Sequence, residues 1–374
     1  MGAIIVGIVL WDGFETIILP RRVTRKVRLT RLFYHYTWLA WSKIITTVSS
    51  KKNAETYLSF YGPLSLLVLL FIWAGSLVFG FGMLHWAAGS ITGSGYTMGG
   101  FLDCLYFSGT NFFTLGLGDV SSHTLSGKIL TVLGAGLGLG FLALILGYLP
   151  ALNQSFARRE ETISLLDARA GSPPTAIEML RRHGHENGLQ ELERFLNLWE
   201  RWSSELLESH LSYPVLAYFR SQHDNQSWLA ALTAILDTTS LAMSYLVGSC
   251  KKQAELTFAM ARHAVVDLSI VFDTPPCEPD ENRLPPADLD RLKVSLSEFG
   301  LILSSESDAN RKLNSLRHMY EPYLYALADY LCLTIPPWIP KGPQVDNWQA
   351  NPWEYVVSNS ETKVRRKRHQ HRHF

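Results

Sequence analysis

Two stretches without a single Asp, Glu, Lys or Arg, residues 58–101 and 129–157, limit this chain more than any other feature. Each is longer than the ~20 mostly apolar residues a helix needs to cross the hydrocarbon core of a bilayer. A wholly soluble fold is excluded. Charged residues make up 18% of the 374-residue chain, below the ~25% usual in soluble domains, and the shortfall falls in the first 157 residues, so the sequence divides into a membrane half and a soluble half. A net charge of +1 argues against a nucleic-acid partner held by overall charge. Cys104, Cys250, Cys277 and Cys332 are too few and too scattered for a disulfide framework, and no CxxC pair suggests zinc or redox chemistry.

The membrane half reads in order. Residues 1–20 form a short apolar segment that either spans or dips into the interface. It lacks a basic start and a cleavage site, so it is expected to be retained, and Val6 breaks the myristoylation pattern. Residues 21–52 carry Arg21, Arg22, Arg25, Lys26, Arg28, Arg31, Lys43, Lys51 and Lys52 with no acid, interleaved with aromatics. The positive-inside rule makes this a cytoplasmic interfacial helix and fixes the orientation. A helix from about Tyr61 to Trp86 then crosses outward, and residues 87–100, rich in Gly, Ser and Thr, read as an external loop. Residues 101–113 are apolar but too short to span, which suits a re-entrant helix. Residues 129–149 cross back, with Arg158 and Arg159 inside and Pro150 as the expected break.

The remainder reads as cytosolic helices. Residues 157–168, 174–183, 189–210 and 286–301 repeat apolar positions every three or four residues, with Pro174 and Pro286 at helix starts. Residues 227–250 carry only Asp237 as a charge; a polar Asp237-Thr-Thr-Ser centre is expensive in lipid, so a buried central helix is expected rather than a crossing. Residues 273–288, with five prolines, form a loop. The expected domains are 1–57, an apolar segment and basic interfacial helix; 58–155, a pore module; 156–335, a helical cytosolic domain; and 336–374, a Pro-rich and basic disordered tail.

The residues that carry chemistry are Thr114-Leu115-Gly116-Leu117-Gly118-Asp119, between the short helix and the last crossing. A conducting filter replaces an ion's water shell with backbone carbonyls, and aiming successive carbonyls one way needs conformations that Gly116 and Gly118 reach cheaply. Thr114 would add a hydroxyl at the inner end and Asp119 a negative ring at the outer end, while Leu115 and Leu117 would turn away and pack behind. With Leu105-Tyr106-Phe107-Ser108-Gly109-Thr110 in front, the segment resembles the pore loop of the potassium channel superfamily, over residues 58–155. The family's usual filter reads Thr-Val-Gly-Tyr-Gly-Asp. Leu117 departs from it by lacking the bracing hydroxyl of Tyr, as in the second loops of some two-pore-domain channels, and Phe113 stands where Thr is frequent.

The resemblance implies an all-α membrane protein: a helix–pore loop–helix module, with a possible extra N-terminal helix, plus an α-helical cytosolic domain. A single loop per chain implies a homotetramer around a central axis. Potassium ions would sit at the carbonyls of Thr114, Leu115, Gly116, Leu117 and Gly118, with no cofactor and no enzymatic activity. Lipid bilayer, potassium and other copies of the chain are the expected partners, in a plasma (inner) membrane with the C-terminal domain cytoplasmic. Gly134, Gly136, Gly138, Gly140 and Gly147 in the last crossing are gating-hinge candidates or packing positions. The alternative is a non-conducting sensor or scaffold with a degenerate loop. Three patterns are set aside: a GxGxxA match at residues 138–143 inside a membrane run, the arginine repeat at 22, 25, 28 and 31 with no acidic helices to pair it, and His183, His185, His369, His371 and His373 without a third ligand.

Overall fold

The computed structural model describes residues 1–19, 28–92, 100–185, 187–222, 225–248, 250–279, 281–302 and 308–340. Arg21, Arg22, Arg25, Lys26 and the basic tail from residue 341, with its three histidines, lie outside them. The chain forms two compact units, one of Met1–Arg158 with Glu208–Arg220, the other of Arg159–Leu207 with the chain from Ser221 onward.

In the first unit, α1 (Gly2–Gly13) ends in a π-helical turn, Phe14–Ile18. Together they are about 25 Å long, short of the ~30 Å hydrocarbon core. They pack along α4 (Tyr61–Ala87). Small residues allow this: a Cβ on Gly2 would stand 2.6 Å from the Gly80 carbonyl, and one on Gly80 2.7 Å from Val6. The described part of the basic segment forms α2 (Leu29–Val48); extended backbone at Ser49 and Ser50 separates it from α3 (Lys51–Ser59), of which only Lys51 and Lys52 belong to that segment. Only a narrow stripe of α2 is buried, Thr30, Tyr34, Trp38 and Ser42, one residue per turn.

Along α4, Leu66, Leu69, Leu70, Trp73, Leu77 and Phe81 face inward while Leu64, Leu67, Val68, Phe71 and Ile72 are exposed, an apolar outer face suited to lipid. The short α5 (Phe101–Phe112) crosses close to α4, where a Cβ on Gly82 would sit 3.2 Å from Leu105 Cα. Asp103, the charge that interrupts this apolar stretch, accepts the Gly100 N–H at 2.8 Å and lies at the positive end of the helix. A two-residue antiparallel ladder, β1 (Ile91–Thr92) with β2 (Ser121–Ser122), departs from the all-helical expectation and ties the end of α4 to the chain after α5.

Pro150 does not end the last crossing. α6 (Leu125–Ala170) is one continuous helix of 46 residues with Pro150 inside, about 69 Å long, more than twice the hydrocarbon thickness. The i−4 carbonyl loses one helical donor there, but the flanking turns carry on. α6 begins in the first unit and ends in the second. The two helices long and apolar enough to cross a membrane are the α3–α4 stretch Asn53–Ala87 and α6, among the described residues. Only 11% of the most apolar window of α6 is buried within the chain, whereas Leu152, Ile163, Leu166 and Ala170 further along it are buried.

The second unit holds α7 (Ala176–Arg182), most of α8 (Gly188–Ser212), α9 (Trp228–Tyr245), α10 (Lys251–Phe272), α11 (Pro286–Glu298), α12 (Ala309–His318) and α13 (Glu321–Leu331). Pro174 precedes α7 rather than opening it; Thr175 is the cap and accepts the Glu178 N–H. Every residue of α9 except Met243 is buried, so the expected central helix is present. Its polar middle is satisfied locally: Thr233, Thr238, Thr239 and Ser240 donate to their own i−4 carbonyls at 2.6–2.8 Å. Asp237 is met by Arg283 Nη2 and Tyr320 Oη, both at 2.7 Å. Arg283 also donates to Glu321 at 3.0 Å and to the Pro336 carbonyl at 2.7 Å. Trp338 lies with its ring 5.6 Å from both the Arg283 and Arg317 guanidinium carbons and is 1% exposed. Residues 336–338, which fell within the expected tail, are held by this clamp.

Candidate functional site

α5 ends at Phe112, and its last carbonyls would be orphaned without partners. The following loop supplies them. Phe113 N–H bonds Gly109 O (2.9 Å), Thr114 N–H bonds Asn111 O (3.0 Å), and Leu115 and Gly116 N–H both reach Thr110 O (2.7 and 3.5 Å). With its amides turned back toward the helix, the loop leaves its own carbonyls over. Among the described residues, no hydrogen bond is accepted by the carbonyl of any residue from Thr114 to Gly118.

The backbone of this loop alternates. Thr114, Gly116 and Gly118 have φ of +57°, +56° and +77°, while Leu115 and Leu117 do not. Alternating hand rotates successive peptide planes the same way, which is why glycine recurs at every second position. Thr114 is the exception, a β-branched residue held in the left-handed region at a steric cost. The glycines are there for φ rather than for space, because nothing lies within 4 Å of a Cβ added at Gly116 or Gly118. Leu115 and Leu117, expected to pack behind the loop, are instead 63% and 61% exposed in the single chain.

Two supports were not legible in the motif. Tyr106 Oη donates to Asp119 Oδ2 at 2.9 Å, fastening the outer end of the loop to the side of α5. It is a brace supplied from the helix, where Leu117 offers no hydroxyl. The i, i+13 separation leaves no periodic signal, so only the fold reveals it. Next to it, Val120 packs on a small cluster of Ile91, Cys104 and Phe107. The second support is Gly138 of α6. A Cβ there would fall 1.9 Å from the Phe112 carbonyl oxygen, and the Phe112 and Phe141 rings lie 5.9 Å apart. Gly134 likewise meets the Phe81 ring at 3.4 Å, whereas Gly136, Gly140 and Gly147 have nothing within 4 Å. The five glycines thus separate into two that seat α6 against its neighbours and three that are open.

A small cleft beside α5 is lined by His85, Ser108, Asn111, Thr131 and the apolar Val78 and Phe81. Ser108 Oγ is buried without a hydrogen-bond partner. His183, set aside as a metal ligand, is buried in the second unit: Nδ1 donates to Met179 O at 2.7 Å and Arg169 approaches Nε2 at 3.3 Å. Among the described residues no group of three His, Cys, Asp or Glu could hold a metal ion.

The family described as "Ion channel" matches residues 66–154, from within α4 through the apolar part of α6. Over 275 residues the chain is 24% identical to the "Uncharacterized membrane protein YdjJ" of Bacillus subtilis (strain 168), covering 71% of this chain and 76% of that one. No solved structure matches. The chain is thus largely helical, holds two helices long and apolar enough to cross a membrane among the described residues, and over residues 66–154 is similar to a family of ion channels, which points toward ion transport.

Proposed function

We propose that the protein conducts potassium passively through a homotetrameric pore, with the carbonyls of Thr114, Leu115, Gly116, Leu117 and Gly118 from four chains as the coordinating row. One observation carries this reading: five consecutive carbonyls without a donor among the described residues, on a loop between two helices long and apolar enough to cross a membrane. At that depth a carbonyl without a partner costs several kcal/mol. A fourfold axis occupied by ions and water relieves it, and the negative C-terminal end of α5, aimed at the same loop, favours a cation. The exposed Leu115 and Leu117 and the unburied face of α6 fit neighbouring subunits.

Asp119 supplies negative charge at the outer mouth, and Tyr106 fixes its position. The open glycines Gly136, Gly140 and Gly147 are the hinge positions of choice, because bending there disturbs no close contact within the chain. The helical unit lies in the cytoplasm of a cell bounded by a plasma membrane and sets the gate in response to a signal.

Rubidium uptake into liposomes holding the purified chain tests the reading. Uptake above empty vesicles, abolished by Gly116→Ala in an assembled tetramer, is expected. Uptake equal in the two proteins would reject the filter assignment. A reversal potential in mixed potassium and sodium that follows the potassium gradient is the expected sign of selectivity.

A further inference from the structure

The segment Glu208–Arg220 is flanked on both sides by chain of the helical unit yet belongs to the membrane unit. Pro214, which cannot continue α8, starts a 3-10 turn, Pro214–Tyr218, and Val215, Leu216, Ala217 and Tyr218 are buried. Tyr218 stacks on Tyr34 of α2 (ring centroids 5.7 Å, interplanar angle 14°) and meets Trp38 and Tyr61 at 5.1 and 5.2 Å. Phe219 fills the space over Gly62, where a Cβ would be 2.7 Å from its ring. The segment touches α6 as well, Tyr213 lying 5.4 Å from Tyr148 and Phe219 5.7 Å from Phe156. Arg220 closes it with an ion pair to Glu55 of α3 at 3.5 Å.

One short segment therefore contacts the interfacial helix, the base of the outer helix and the cytoplasmic half of the pore-lining helix at once. Rigid aromatic rings fill it, leaving few alternative arrangements. α6 itself also runs from the first unit into the second. We propose that Glu208–Arg220 is the transmission element by which the helical unit sets the position of α6, tying α6 to α2 and α4 when docked. This rests on the channel reading for its output, but the docking itself does not depend on conduction.

Single-channel recording of the full chain in planar bilayers, comparing wild type, Tyr218→Ala and the milder Glu55→Gln, tests it. The filter is untouched, so unitary conductance and reversal potential stay unchanged while open probability shifts by about fivefold or more in Tyr218→Ala, and by less in Glu55→Gln. A fall identifies the segment as a tether, a rise as a wedge; an open probability within twofold of wild type in both variants overturns the proposal. Hydrogen exchange of residues 148–156 of α6 separates the two readings. If wild type carries no current, the channel reading fails, and the coupling then stands on faster exchange there in Tyr218→Ala, or in Glu55→Gln should Tyr218→Ala not assemble. Unchanged exchange refutes it.

Discussion

Gly138 shows how one missing methyl group decides a packing geometry. With the Phe112 carbonyl 1.9 Å from where its Cβ would be, any side chain drives α6 away from the end of α5, and the loop after Phe112 moves with it. Gly138→Ala is expected to destabilise the assembled protein by about 1–3 kcal/mol, the usual cost of overpacking, and to abolish ion flux. Gly136→Ala, with open space around it, should instead be neutral or stabilising by about 0.5–1 kcal/mol through helix propensity. Thermal unfolding of the detergent-solubilised protein alongside rubidium uptake distinguishes them, and equal effects at the two positions would contradict the assignment. The same two glycines are indistinguishable in sequence, since both sit in one apolar run at alternate positions. The left-handed residues are a mixed case: Gly116 and Gly118 announce themselves, but Thr114 gives no sign that the loop drives its φ to +57°.

At the scale of elements, charge-free length located α4 and α6, and residues 101–113 read as too short to span, because bilayer thickness is an external ruler that needs no knowledge of neighbours. What the ruler missed are elements shaped by contact. α1 is held to α4 by Asp12, which is 4% exposed and accepts from Trp73 Nε1 (3.1 Å), Thr30 N–H (3.2 Å) and Thr30 Oγ1 (2.6 Å). A carboxylate at the end of an apolar segment reads in sequence as a boundary; in the fold it is a knot joining α1, α2 and α4. Asp12→Ala leaves those donors without an acceptor and is expected to cost about 1–3 kcal/mol, whereas Asp12→Asn keeps an acceptor and should cost less. A thermal shift that ranks the two variants the other way would refute the knot. Pro150 likewise had the local character of a breaker, and the continuity of α6 overrides it.

On the scale of the whole molecule, the helical unit is organised by buried charge and aromatic contacts drawn from distant sequence. Burial pushes the Asp237 carboxyl up, opposed by the Arg283 guanidinium, whose own pKa that pairing raises. Burial foremost, with Arg169 beside it, lowers the His183 pKa below the ordinary value, against the pull of the Met179 carbonyl. The unfolded chain binds the proton that folded His183 refuses, so stability is full above the ordinary histidine range near 6.5 and declines as pH falls through it. The denaturation midpoint of the purified protein is therefore expected to drop between pH 7.5 and 5.5, with a shallower slope in His183→Asn; an unchanged slope would rule His183 out as the source.

Sequence alone located the two stretches long and apolar enough to cross a membrane and the glycine-bearing loop between them. Each of those follows from local composition set against the fixed thickness and dielectric of a bilayer. Only the tertiary structure decided that Tyr106 braces Asp119, that Gly138 seats α6 on Phe112, that Asp12 joins three helices, and that a segment after α8 inserts among α2, α4 and α6. Those are contacts between residues far apart along the chain, set by steric fit and by the need of every buried polar group for a partner, and neither leaves a period or a motif in the sequence.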